Sequence, residues 1–150
     1  MSATPSEEVK QAVLAVLSAQ DRAWGKGDAA AFGASALPDI VFTNVVGMFS
    51  VGINAFIAQH AHIFSTFYKG SRLAQELINV TMVTDEVAIV DTLTSLTGYG
   101  HLPPGAAPID GALRTRLEQV LVRREGTWRV QSFHNVAVNP AALAVARPGA

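Results

Sequence analysis

Three side chains in this 150-residue sequence are the candidates, by type and place, for moving protons between a ligand and the protein: His60, His134 and Asp91. An imidazole titrates near neutrality and so serves as general acid or base. His60 stands within a run, Ile53, Phe56, Ile57, His60, Ile63, Phe64 and Phe67, whose spacing puts all of them on one helical face. Two readings are open for it: a core histidine bonded to a backbone carbonyl, or an acid–base group in a pocket. Strand alternation places His134 on the face of Trp128, Val130 and Ser132, an apolar face that belongs inside. Asp91 shares its face with Val87, Ile89 and Leu93. There it is either paired with Arg72 or another cation, or raised in pKa by desolvation.

Amides supply a second set. Asn44 shares a face with Phe42 on a β-rich run, and Gln119 lies between Leu117 and Leu121 on one strand face, where a buried amide needs partners. Asn135 sits near a strand end, where twist or a bulge could turn it inward; otherwise it bonds to backbone. Asn44, His60, Gln119 and His134 come from four separate segments and all point inward by pattern. Converging buried polar groups favour a lined cavity over a dry core. Phe42, Phe64 and Trp24 are expected to contact the ligand beside Asn44, Gln119 and Asn135, with His60, His134 and Asp91 as the catalytic candidates.

Other chemistries lack their residues. The chain has no cysteine, which removes disulfides, thiolate metal sites and a thiol nucleophile. His60 and His62 are two apart on a helix and cannot clasp one metal, and His101 falls in a proline-rich loop facing solvent. Gly98-Tyr99-Gly100 lacks the strand-to-helix setting of a phosphate loop, and no nucleophile elbow is present. Neither a cofactor nor a metal is expected. Net charge is −1, with basic residues spread thinly, so a nucleic-acid partner is not expected. No apolar run approaches a membrane span, and the first residues lack the regions of a signal peptide; a cytoplasmic protein is expected.

The elements that must position these residues follow from pattern. Thr4-Pro5-Ser6-Glu7 opens a helix with a capping hydroxyl, a first-turn proline and an acidic residue three after the cap. Val9, Val13, Val16, Leu17, Gln20 and Trp24 continue it at three- and four-residue steps until Gly25 and Gly27. Asp28 caps a second helix over residues 29–36, closed by Pro38. A strand over 40–45, a short strand between Gly47 and Gly52, and a helix over 53–67 come next. Four long strands then make two hairpins, 72–83 with 86–97 and 114–124 with 127–138, the second turning at Glu125-Gly126. The Tyr99–Gly111 loop between the hairpins is long enough to imply a role and is read as a lid. The fold class is α+β: about three N-terminal helices against a strongly curved, mixed, mainly antiparallel sheet that wraps into a cone with a pocket at its open end. Residues 1–138 are expected to form a single domain, and 139–150 a loose tail.

Several strings sharpen this. Ala23-Trp24-Gly25-Lys26-Gly27-Asp28, Phe42-Thr43-Asn44-Val45 with Gly47 and Gly52, Gly70-Ser71-Arg72-Leu73, the run from Gln119 to Arg124, and Phe133-His134-Asn135 resemble the nuclear transport factor 2-like superfamily. Within it they resemble the SnoaL-like proteins and their SgcJ/EcaC branch, over roughly residues 8–138. The resemblance implies the cone fold, a small hydrophobic ligand such as a polyketide, and homodimers through the outer sheet face, here carrying Val120, Val122 and Phe133. Ketosteroid isomerase has its base at about the position of Asn44, and an amide cannot take up that proton. Limonene epoxide hydrolase needs an Asp-Arg-Asp set, to which only Asp91 and Arg72 could contribute here. The function expected is therefore a cofactor-independent tailoring enzyme of cyclase, isomerase, dehydratase or hydrolase type. The alternatives are a non-catalytic carrier, or an association module with a vestigial pocket.

Overall fold

In the computed structural model, residues 4–145 are described. The first helix, α1 (Glu7–Gly25), starts two residues later than the proline suggested: Ser6 is the cap, its Oγ accepting from the Val9 amide at 3.2 Å. Its buried stripe is Val13, Val16, Leu17, Gln20, Ala23 and Trp24, as the periodicity requires. Asp28 caps α2 (Ala29–Phe32) through Ala31 N. This helix is shorter than expected, because the chain turns at Gly33 and enters β1 (Ala36–Thr43) ahead of Pro38. Pro38 is tolerated where pairing lapses, between Ala36 and Val41.

A turn leads to β2 (Phe49–Val51), and α3 (Ile53–Ser65) buries Phe56, His60 and Phe64. The strands β3 (Arg72–Thr84), β4 (Val87–Thr97), β5 (Leu113–Arg124) and β6 (Thr127–Ala137) complete a six-stranded sheet of order β2-β1-β6-β5-β4-β3. Only β1 and β6 pair in parallel; the rest is antiparallel, so the sheet is mixed as expected. Glu125 and Gly126 both have positive φ, 53° and 78°, the geometry of a primed two-residue hairpin turn. Residues 140–145, expected as loose tail, form a short helix, α4 (Pro140–Val145), whose Ala142 amide is capped by Asn139 Oδ1. The rest of that tail lies outside the described residues. Among the described residues no helix is long and apolar enough to cross a membrane.

One irregularity decides the interior of the cone. On β6, Val120 pairs with Ser132 but Leu121 pairs with Val130, leaving Gln131 as an extra residue. Such a bulge reverses the facing of everything beyond it. Trp128 and Val130 point inward before it, and Phe133 points inward after it.

Candidate functional site

The helices and the concave sheet face enclose a cavity of about 490 Å³, within the size range of small-molecule sites. Its wall is overwhelmingly apolar. Trp24 of α1, Phe42 of β1, Ile63 of α3, Leu113 and Leu117 of β5, and Phe133 of β6 all reach it. None of its lining side chains is a lysine, arginine, aspartate or glutamate.

His60 enters this wall from the centre of α3. Only 2% exposed, it sits among aromatic rings, with centroids 4.4 Å from Phe56, 4.6 Å from Phe32 and 5.2 Å from Phe42. Its Nδ1 lies 2.7 Å from the Phe56 carbonyl oxygen, four residues back. A carbonyl only accepts, so Nδ1 carries the proton and Nε2 keeps its lone pair. Burial lowers the His60 pKa to about 4, against a smaller opposing effect of the bond to Phe56. The ring is therefore neutral at physiological pH. Both readings left open by the sequence describe it in part: it is a carbonyl-bonded core histidine, and it lines a pocket.

Asn135 lines the same cavity, carried inward by the β6 bulge. Its Oδ1 is buried without a hydrogen-bond partner, an unusual state for such an atom. Trp24 also reaches the cavity, with its Nε1 donating to Ser71 Oγ at 2.8 Å while that hydroxyl donates to the Tyr68 carbonyl at 2.6 Å. Phe42 lines it too. Asn44 reaches the rim, but its Oδ1 accepts from the Val46 and Met48 amides at 3.1 and 2.9 Å, so it shapes the turn before β2.

Four other expected site residues lie elsewhere. His134 is exposed on the outer sheet face, because the bulge undoes the simple alternation that put it inside. Asp91 is also on the outer side: the inward face of β4 is Ala88, Val90, Thr92, Thr94 and Leu96. Both faces of β4 are apolar enough that pattern could not choose between them. Nor can Arg72 partner Asp91, since Arg72 pairs with Thr97 and Asp91 with Asn79, which separates them by about 20 Å along the strands. Asp91, Glu118 and His134 instead form a cross-strand row outside the cavity. Gln119 is fully buried but not at the cavity. It makes a reciprocal amide pair with Gln20, with bonds of 2.7 and 3.0 Å. Phe64 packs against Trp24 at 4.8 Å, behind the cavity wall. Phe133, assigned to the outer face, is buried inside.

Residues the sequence reading passed over complete the site. Tyr68, in the turn after α3, lines the cavity, and burial pushes its hydroxyl pKa up, which keeps it protonated. The hydroxyls of Thr94 and Thr115, facing each other across β4 and β5, bond together at the wall. Their signal was the inward run Thr92–Thr94 opposite Thr115, legible only once the facing of β4 is known. Pro103 brings the long loop to the cavity, where Leu102 and Ala106 pack on the core.

The comparisons with known proteins agree on the architecture. No protein-family model matches the chain, and no curated protein matches it by sequence. Among solved structures, it is similar to an uncharacterized protein with a cystatin-like fold from Caulobacter vibrioides, with 26% identity, 93% of this chain and 96% of that one covered, and a TM-score of 0.80. A putative scytalone dehydratase from Novosphingobium aromaticivorans aligns at 14% identity over 88% of this chain and 85% of its own, with a TM-score of 0.73. A ketosteroid isomerase-like protein from Erwinia carotovora atroseptica aligns at 18% identity over 90% of this chain and 100% of its own, with a TM-score of 0.70. With six strands in this order, a cavity at the cone's end and these structural counterparts, the chain has a cystatin-like α+β fold, the architecture found also in a solved NTF-2 like protein from Shewanella oneidensis.

Proposed function

We propose that this protein binds a small hydrophobic, oxygenated molecule in the cone and carries out cofactor-independent acid–base chemistry on it. The observation that carries the reading is His60: a neutral imidazole with a free Nε2, set in the wall of a mainly apolar, uncharged cavity. His60 would accept a proton or a hydrogen bond, Tyr68 would donate one, and Asn135 would orient an oxygen or nitrogen of the ligand. A base and a donor on one apolar pocket suit enolisation, dehydration or ring closure of a polyketide-like substrate, in keeping with the resemblance to the SnoaL-like proteins and the SgcJ/EcaC branch. His134 and Asp91 have no part in this, being outside the cavity.

A second reading, a carrier without turnover, is favoured by one specific fact. Burial that holds the His60 pKa to about 4 weakens it as a base, and the cavity wall offers no carboxylate beside it. We further propose a homodimer through the outer face around Val120 and Val122, with Phe133 removed from that surface.

Mass spectrometry of the protein under native conditions, followed by thermal shift against neutral lipophilic compounds, tests the binding claim. A ligand at 100 times its Kd should add about 2.7 kcal/mol to stability. No bound species and no shift across such a set would sink it. With a substrate in hand, His60→Leu separates the two readings: turnover lost with binding retained supports catalysis, and unchanged turnover removes it.

A further inference from the structure

Four of the eight large apolar side chains that stand exposed among the described residues fall within six positions: Val46 (51% exposed), Met48 (56%), Phe49 (58%) and Val51 (61%). They lie on β2 and on the turn that leads into it, at the free edge of the sheet, since β2 pairs only with β1. Val46 and Met48 border the cavity together with Val45, whereas Phe49 and Val51, opposite Thr43 and Val41, belong to the sheet edge beside it. The patch therefore wraps a convex edge, and it stands at the rim of the cavity.

The turn keeps its backbone donors to itself. Asn44 N donates to the Met48 carbonyl and Gly47 N to the Asn44 carbonyl, each at 3.0 Å, and Asn44 Oδ1 takes up the Val46 and Met48 amides. A segment that leaves water requires such internal pairing, because an apolar medium offers an N–H no partner. Formal charge is missing as well. Residues 40–68, which run from within β1 through β2 and α3, contain no Asp, Glu, Lys or Arg. No charge in that stretch resists leaving water, and none draws a charged partner.

Area and shape decide what covers the patch. The four side chains expose roughly 400 Å², a size at which an apolar patch marks a protein or membrane contact. A stable dimer buries about 800 Å² on each partner, and a second protein surface would have to match a curved edge. A bilayer is fluid, conforms to such an edge, and takes in apolar side chains about 5–10 Å deep without any spanning helix. We infer that the turn and the β2 edge dock this protein on a lipid surface through Val46, Met48, Phe49 and Val51, with the rim of the cavity held against the membrane. Docking of this kind needs no anionic lipid. That the membrane also supplies the ligand rests on the cavity being a ligand site, as proposed above; the docking itself does not.

Because the chain has no cysteine, Met48→Cys can carry a single polarity-sensitive nitrobenzoxadiazole label. Phosphatidylcholine vesicles, added without ligand, should shift its emission to the blue, half-maximally at about 0.1–1 mM lipid, the range of a single acyl anchor. The same label on Val83→Cys, equally exposed on the opposite edge strand β3, should not respond. Met48→Ser combined with Phe49→Ser lies outside the core and should keep the parent's urea midpoint, while cosedimenting with the vesicles about tenfold or more weakly. Adding phosphatidylserine to the vesicles should change binding by less than about twofold. No shift at about ten times that lipid concentration, an equal shift at both labels, or binding that requires phosphatidylserine overturns the docking. So does a dimer that the two serines convert to monomer in sedimentation velocity, which would assign the patch to a second copy. Each outcome is read without ligand and leaves the ligand reading of the cavity untouched.

Discussion

Two polar regions are built into the interior of this cone, and they are finished differently. Between α1 and the sheet, Gln20 and Gln119 bond reciprocally. Gln75 then donates to Gln20 Oε1 at 3.0 Å and to Asp21 Oδ1 at 3.1 Å, while its backbone amide reaches Asp21 Oδ2. Every amide there has found a partner within the protein, so the region needs nothing from outside. In the cavity wall, by contrast, the buried Asn135 Oδ1 has none, and the His60 Nε2 is left without a protein partner. Burial alone does not mark a binding group, since Gln119 is more deeply buried than either. The distinguishing property is unspent hydrogen-bonding capacity facing a space large enough to hold something.

The contrast can be broken most strongly by pH. His60 is lowered in the folded state from 6.5 to about 4, so between those values the unfolded chain binds a proton that the folded one does not. Its contribution is complete above 6.5 and is lost as pH falls toward 4, by on the order of 3 kcal/mol. Urea denaturation across this window should show that loss, and His60→Leu should largely abolish it. Asp21 in the closed region runs the other way. Its pKa is raised by burial, against the hydrogen bonds from Gln75, so stability tied to it falls as pH rises above 3.8. An acid loss that survives in His60→Leu would assign the titration elsewhere.

Next in size is the glutamine pair. Gln119→Met strands the Gln20 Nε2 donor and should cost about 2 kcal/mol by denaturation, with ligand affinity unchanged. The double variant Gln20→Met with Gln119→Met should recover part of that, because neither glutamine is then left as an orphan and Gln75 Nε2, which loses Gln20 Oε1, keeps Asp21 Oδ1 as an acceptor. A double variant as unstable as the single would mean that the pair acts through packing. The smallest effect is expected at Asn135→Leu. Deleting an unpartnered buried carbonyl should leave stability within about 1 kcal/mol of the parent, or raise it. A loss well beyond that would show that Asn135 has a structural partner.

The extent to which sequence could anticipate this follows from where its patterns are unambiguous. The α1 stripe and the α3 face were legible because a 3.6-residue period distinguishes one side from the other over several turns. His60 was placed correctly for the same reason. On β4, Val87, Ile89 and Leu93 alternate with Ala88, Val90 and Leu96, so either face could have been the inner one, and pattern left open on which side Asp91 falls. On β6 the period itself is interrupted, and one extra residue at Gln131 exchanged His134 for Asn135 in the cavity. Gln119 shows a further limit. Its burial was readable from Leu117 and Leu121, but its partner lies far away in sequence on α1, and no local pattern names it.

His60, the residue the whole reading turns on, divides the same way. Sequence alone determined that an imidazole would sit on the buried face of an apolar helix within an α+β fold, because helical periodicity and side-chain polarity are local properties. Only the tertiary structure decided that its Nδ1 is committed to Phe56, that six aromatic rings surround it, and that Asn135 lines the cavity with it while His134 and Asp91 do not. Those outcomes depend on a bulge, on the facing of a strand apolar on both sides, and on contacts between distant segments. They are set by how the sheet curves and closes, which the order of residues along one strand does not express.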